Sequence, residues 1–169
     1  MTTRQKLVTP TTGIWFVPAA GGPTNASAMT STMINAGVNL SCAIETGYKL
    51  NPIASDKDAS KTICDSGNVD NFTFDNYDAS LTFFRDNGVN AITAFVNAWA
   101  LLKTAGQVGY LARRLGKLST AAAAAADIFS VFAVESDQPI DVDDGVAPIR
   151  FTVDFFQKGD MALYFPLAS

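Results

Sequence analysis

Carboxylates are the side chains in this sequence with the greatest capacity for chemistry. The chain has 16 Asp and Glu residues and no histidine. The absence of histidine excludes Ser-His-Asp and Cys-His nucleophiles, imidazole metal sites and the commonest general base near neutral pH. A converging carboxylate pair could still support hydrolysis. Most of the acids are Asp in turns or at strand ends, where Asp is favoured for backbone reasons, so nothing in their spacing supports a catalytic site.

The acidic stretch 141–145 is the nearest approach to a metal-binding loop. An EF-hand needs oxygen ligands at positions 1, 3 and 5, glycine at 6 and glutamate at 12. Here Gly145 is fifth, and Thr152 stands at the twelfth position. The phosphate-binding motifs GxxxxGK[ST] and GxGxxG do not occur. We therefore predict a solvated acidic loop and a protein that is not an enzyme and has no cofactor and no metal site.

Two other reactive groups have structural interpretations. The doublet Arg113-Arg114 lies in a strand pattern, which points the two side chains to opposite faces and prevents a joint anion clamp. Cys42 and Cys64 are interpreted as free thiols that act as small buried hydrophobes in a reducing cytoplasm. No secretory signal and no apolar run of about 20 residues is recognisable, so no membrane partner is expected.

Length and charge further restrict the classes of protein to which this chain can belong. The chain has 169 residues, 48% of them hydrophobic, with a net charge of −4. This size predicts one domain with a real core. An acidic chain does not offer the basic surface that holds nucleic acid by counterion release.

The N-terminal 37 residues mix Thr, Ala, Gly and Pro with one apolar cluster, Ile14, Trp15, Phe16 and Val17. Such a segment is typical of an extended arm that lies on protein, and an ordinary N-terminal strand between loops fits equally well. We divide the chain into an arm over residues 1–37 and a single domain over residues 38–169.

Strand periodicity begins at Val38, where Leu40, Cys42 and Ile44 alternate with Asn39, Ser41 and Ala43. A long polar loop is predicted over residues 45–70; because it contains apolar residues, we expect it to pack against something. A hairpin is predicted over residues 72–85, with its turn at residues 76–78.

A helix is predicted over residues 89–104, where Ile92, Phe95, Val96, Trp99 and Leu102 share one face. Strands are predicted over the remaining segments, residues 107–114, 128–135, 149–157 and 161–167. The alanine run at residues 121–126 is predicted to form one or two helical turns. The order of strands, one helix and strands predicts a mainly β fold, an antiparallel β-sandwich or barrel with one flanking α-helix.

Several of these segments resemble the tail tube, or major tail, proteins of long-tailed bacteriophages, particularly those that infect actinobacteria. The resemblance covers residue 34 to the C-terminus. Its motifs are GVNL at residues 37–40, CDSGNV at 64–69, FTFDNYDASLTFFRD at 72–86, GQVGYLARRLG at 106–116, DIFSVFAV at 127–134 and IRFTVDFF at 149–156.

The resemblance implies a structural virion protein whose hexameric rings stack into a hollow tube for genome delivery. Head-to-tail interfaces can close into rings, and joined sheets remove exposed strand edges. The implied partners are other copies of the chain and the tape-measure and tail-terminator proteins, with DNA passing through the lumen without specific binding. The implied location is the virion tail, after assembly in the bacterial cytoplasm.

The resemblance also assigns three sets of candidate contact residues. Strand alternation predicts lumen-facing side chains at Thr73, Asp75, Thr82, Thr152 and Asp154, with Phe72, Phe74 and their apolar neighbours in the core. The long loop and the arm are expected to bridge successive rings. The loop candidates are Tyr48, Leu50, Ile53, Asp56, Lys57, Asp58 and Ile63, and the arm candidates are Ile14, Trp15, Phe16 and Val17.

Three other functions fit the same sequence. One is a related ring-forming tube or terminator protein of another injection apparatus. Another is a small β-sandwich binding module, which would be a stable monomer with an aromatic-lined cleft. The last is a hydrolase with an Asp pair.

Overall fold

A computed structural model describes residues 11–59, 64, 71–85, 92–142, 145 and 149–168. The fold is mainly β, with eight strands in one antiparallel sheet. The strands are β1 (Thr12–Pro18), β2 (Val38–Asn39), β3 (Lys49–Asp58), β4 (Asn71–Phe84), β5 (Val108–Leu115), β6 (Ile128–Ser136), β7 (Ile140–Val142) and β8 (Arg150–Pro166). The helices are α1 (Ser31–Ala36) and α2 (Thr93–Leu102).

The sheet runs in the order β2-β1-β5-β6-β8-β4-β3, and β7 pairs with β8. β8 has 17 residues and is long enough to take part in both halves of the sheet, β2-β1-β5-β6 on one side and β4-β3 on the other. Its first part pairs with β4 and β7, and its second part pairs with β6. The two halves enclose a common core, so the architecture is sandwich-like rather than a closed barrel. The predicted mainly β, antiparallel fold with one main helix is confirmed.

The principal core lies between the two halves of the sheet and α2. Strand alternation supplies it, because Leu81, Phe83, Phe151 and Val153 occupy every second position and are fully buried. Phe83 and Phe151 stack with ring centroids 5.2 Å apart. This apolar inner face determines which side chains of β4 and β8 point outward.

A second core lies on the opposite face of β1 and β5. Ile14 and Phe16 of β1 belong to the principal core, whereas Trp15 and Val17 pack in the second core, under α1. β1 pairs with β2 on one side and with β5 on the other. Residues 12–18 are therefore an interior strand of the sheet, as the alternative prediction of an ordinary N-terminal strand has it, and not an extended arm. The sheet contains strands from both sides of the predicted boundary at residue 37. Residues 1–10 lie outside the described part.

Three predictions for the middle of the chain are wrong. The predicted loop over residues 45–70 contains β3, which pairs with β4. The predicted turn at residues 76–78 does not exist, because β4 runs unbroken from Asn71 to Phe84. Phe74 is 70% exposed instead of lying in the core.

The predicted helix is confirmed as α2, with a shifted buried face. Ala98 and Leu102 are fully buried, and Phe95 and Trp99 pack against the principal core. Ile92 precedes the helix and is 51% exposed. No helix in the described residues is long and apolar enough to cross a membrane.

The alanine run is not helical. The Arg114 guanidinium donates to the carbonyl oxygens of Leu118, Ala121 and Ala122. The Asn35 side chain donates to the Ala123 carbonyl and accepts from the Ala123 N–H, both at 2.8 Å. These side chains form hydrogen bonds with backbone N–H and carbonyl groups that would have bonded to each other in a helix. Arg113 and Arg114 point to opposite faces of β5, as predicted. Arg114 bonds to the alanine run, whereas Arg113 donates to the Leu50 carbonyl on the other face.

Both cysteines are free, but they are exposed rather than buried. Strand β2 ends at Asn39, and the chain then turns, so the predicted alternation of Leu40, Cys42 and Ile44 is lost. Leu40 and Ala43 are the buried residues of this stretch.

Candidate functional site

The outward side chains of residues 78–82 of β4 and 150–154 of β8 form a polar surface, with Phe84 and Phe156 at its margins. Because Leu81, Phe83, Phe151 and Val153 fill the core, the residues between them point away from it. Neighbouring strands extend this surface on the side of β3. We call it the polar face; its members are Glu45, Lys49, Asp78, Ser80, Thr82, Arg150, Thr152 and Asp154.

Cross-strand pairs join the hydroxyl groups at its centre. Thr82 is directly opposite Thr152, and Ser80 is directly opposite Asp154. The Thr82 and Thr152 hydroxyls are 2.8 Å apart, and the Ser80 hydroxyl donates to Asp154 Oδ1 at 2.5 Å. These bonds fix the polar side chains in relation to one another, as cross-strand pairs do.

Ion pairs flank the hydroxyl groups. Arg150 Nη1 donates to Glu45 Oε1 at 2.7 Å, and Lys49 Nζ lies 3.6 Å from Asp78 Oδ2. With Asp154 included, the polar face has three carboxylates and two cations. It is therefore close to neutral, with a small negative excess.

This arrangement is suited to solvation more than to reaction. The oxygens of the polar face are bonded to each other or paired with cations, and phosphate groups would find no cluster of donors there. Among the described residues, no group of three or more Cys, Asp or Glu side chains is placed to hold a metal ion.

The structure brings together three of the five predicted lumen residues, Thr82, Thr152 and Asp154. Asp75 is seven positions from Thr82 on the same strand, so alternation points it to the opposite face. Thr73 is exposed near the start of β4. The sequence reasoning missed Asp78 and Ser80, which continuous alternation through residues 76–78 would have found.

The predicted stacking residues fall into two groups. Leu50 is fully buried in the principal core. Tyr48 is half-buried and lines a cleft of about 300 Å³ together with Thr12 and Ile14. Four others, Ile53, Asp56, Lys57 and Asp58, are exposed on β3. Ile63 lies outside the described residues.

The exposed stacking residues belong to an outer hairpin, which we define as residues 52–58 of β3 with residues 71–76 of β4. Unlike the rest of the sheet, its described side chains are mostly solvent-exposed. Ile53 is 53% exposed and Phe74 is 70% exposed. Exposed apolar groups on a ribbon that leaves the core are typical of a contact surface.

Two strand edges next to the polar face are open among the described residues. The order here is β7-β8-β4-β3, with β3 paired only to β4 and β7 paired only to β8. Open edges of this kind can extend a sheet into a second chain.

Comparison with protein families gives a match that covers the whole chain. The family described as phage tail tube protein matches residues 1–169. No curated protein matches the sequence significantly.

Proposed function

The chain belongs to the phage tail tube protein family, and we propose that its copies form hexameric rings that stack into the conduit for genome delivery. A structural role in the virion tail follows from the family itself. The full-length family match carries the proposal, and the sheet edges and the polar face support its finer parts.

The open edges of β3 and β7 are suited to ring closure. If β3 of one copy pairs with β7 of the next, the interface is head-to-tail and can close into a ring, for which we propose six copies. The four strands β7-β8-β4-β3 would then give about 24 strands in one tubular sheet. At about 4.8 Å per strand, its circumference is about 115 Å and its diameter about 37 Å before strand tilt widens it.

The polar face is suited to line the lumen of this tube. A near-neutral, slightly acidic surface of hydroxyl and carboxylate groups gives DNA phosphates no attractive partner. A ring would have a formal net charge of about −24, six times the −4 of one chain. DNA would therefore pass without being held.

The outer hairpin is the proposed contact between successive rings. Its exposed Ile53 and Phe74 would be buried against the next ring. Residues 1–10 remain candidates for a second bridge. Tape-measure and tail-terminator proteins are the proposed partners at the ends of the tube, with assembly in the host cytoplasm.

Negative-stain electron microscopy of the purified chain over a concentration series, with light scattering, tests the proposal. Six-fold rings or hollow rods are the expected result. A chain that stays monomeric at high concentration, both alone and with preformed tail tips from the phage as an initiator, would overturn it. A monomer would also favour the binding-module alternative and direct attention to the cleft beside Tyr48.

A further inference from the structure

β7 is too short to be held in place by its ladder alone. It has three residues and pairs only with Arg150, Phe151 and Thr152 of β8 among the described residues. Ile140 is 61% exposed, so the strand buries little apolar surface. An edge strand with so few ladder bonds and so little buried surface belongs to the part of a fold that opens most easily.

Arg85 connects this edge to the helix. It follows β4, and its guanidinium lies 3.9 Å from the centre of the Trp99 ring of α2. The same guanidinium reaches Asp141, the central residue of β7, with Nη1 and Oδ1 3.4 Å apart. The side chains of Arg85 and Asp141 are 34% and 63% exposed, so solvent screens the ion pair, and the contact with Trp99 supplies the more protected part of the connection.

The other contacts of Arg85 and Trp99 make the connection rigid. The Arg85 N–H donates to the Ile149 carbonyl at 2.8 Å. The Trp99 ring packs edge-on against Phe151, with centroids 5.0 Å apart. Phe151 is the residue opposite Asp141 in the ladder. Helix, core and edge strand therefore meet at one guanidinium.

We propose that Arg85 is a positioning residue that clamps Asp141 against α2 and so holds β7 as a preformed pairing edge. The role of the clamp in assembly rests on the proposed ring, whereas the clamp itself is a property of the single chain. A preformed edge binds its neighbour more tightly because the ordering cost is not paid on association.

Hydrogen exchange of the monomer tests the clamp. Asp141→Asn should make the β7 amides that bond to β8 exchange up to about fivefold faster, through loss of the ion pair. Arg85→Gln also loses the cation–π contact and should make them exchange about five- to tenfold faster. Asp141→Glu keeps the charge and should restore most of the protection. Glu135→Gln is the matched control, because it removes the 2.5 Å ion pair between Glu135 of β6 and Lys158 of β8 and keeps the pair between Arg85 and Asp141.

The assembly readout separates this inference from the ring proposal. The critical concentration for tube formation should rise up to about fivefold in Asp141→Asn and stay near wild type in Asp141→Glu and Glu135→Gln. Unchanged β7 exchange in both clamp variants would overturn the clamp. Faster exchange of the β7 amides with an unchanged critical concentration would overturn the proposed role of the clamp in assembly. A wild-type chain that never assembles would count against the ring, while the exchange data would still decide the clamp.

Discussion

Arg114 and Asp127 form an ion pair inside the protein, with 2.8 Å between Nη1 and Oδ2 and side chains only 1% and 5% exposed. Lys117 also contacts the Asp127 carboxylate. Through Arg114, this pair is connected to three carbonyls of the alanine-rich segment, which we define as residues 117–126. The segment is therefore held from inside by charged groups rather than by its own helix propensity.

Removing the guanidinium should loosen this segment and destabilise the fold. We expect Arg114→Met to lower the free energy of unfolding by about 3–5 kcal/mol, because three carbonyls lose their donor and the buried Asp127 carboxylate keeps only Lys117 and the Ala124 N–H. Denaturant unfolding measures the loss, and hydrogen exchange should quicken first at residues 118–124. Lys49→Met, which breaks an exposed pair, is the control and should cost less than about 1 kcal/mol. Equal losses in the two variants would contradict the interpretation.

The Asp127 carboxylate should make the free energy of unfolding depend on pH, in the direction that its lowered pKa sets. Burial raises the pKa of Asp127, but hydrogen bonds from Lys117, the Ala124 N–H and Arg114 outweigh it and hold the pKa below 3.8. The resulting stability is present above pH 3.8 and is lost as the pH falls through the lowered pKa. Wild type and Asp127→Asn should therefore converge in unfolding free energy in acid.

Lys117→Met provides the matched comparison for Asp127. With one donor removed, the pKa of Asp127 should rise, and the acid loss of stability should begin at higher pH than in wild type. Unfolding free energies from about pH 7 down to about pH 2 test both variants. A difference between wild type and Asp127→Asn that stays constant over this range would refute the assignment.

The sequence is informative where local alternation and burial agree. Thr82, Thr152 and Asp154 were placed on one face correctly because their neighbours Phe83 and Val153 fill the core. The same rule failed at residues 76–78, where Asn, Tyr and Asp read as a turn. Pairing with β3 keeps this segment extended, and the sequence does not reveal that partner.

The alanine-rich segment shows a second limit of local reasoning. Alanine has the highest helix propensity, yet a run of six is too short for a stable isolated helix. Asn35 and Arg114 supply competing hydrogen bonds, and Asn35 lies 88 residues from Ala123 in sequence. Contacts of this separation are invisible to a pattern search.

Tyr77 should ionise well above the ordinary tyrosine range. Burial raises its pKa to about 12, against 10.0 for the free side chain. Its hydroxyl donates to the Ala133 carbonyl, and its ring packs edge-on against Phe132. Because the folded pKa is raised, the contribution of Tyr77 to stability is complete below pH 10.0 and is lost as the pH rises toward 12.

Replacement of Tyr77 tests this prediction. Tyr77→Phe should remove one phenolate step near pH 12 from an ultraviolet titration of the folded protein. It should also cost about 1–3 kcal/mol, because the Ala133 carbonyl loses its donor. Tyr164→Phe is the control for stability, since that side chain is 65% exposed. A titration curve unchanged by Tyr77→Phe would contradict the prediction.

Shortening the outer hairpin should block stacking without unfolding the chain. Ile53 pairs with Asn76, so replacing residues 54–75 by Asn-Gly leaves that pair closed by a two-residue turn. We expect near-native circular dichroism and rings in micrographs, but no long tubes. Phe74→Ser is a milder version that keeps the hairpin, and it should shorten the tubes. Tubes of normal length from the truncated chain would refute the stacking role.

Lysine on the polar face should convert a passive lumen into one that holds DNA. In a hexameric ring, Asp154→Lys changes the lumen charge by about +12, which gives phosphates a cluster of ammonium partners. Because the residue is exposed, we expect tubes to assemble and to bind DNA with an affinity that falls steeply as salt rises. Thr120→Lys, an exposed change on the alanine-rich segment, should assemble without DNA binding. Phage built with Asp154→Lys tails should adsorb normally but release their genomes slowly, and normal release would show that the polar face does not line the channel.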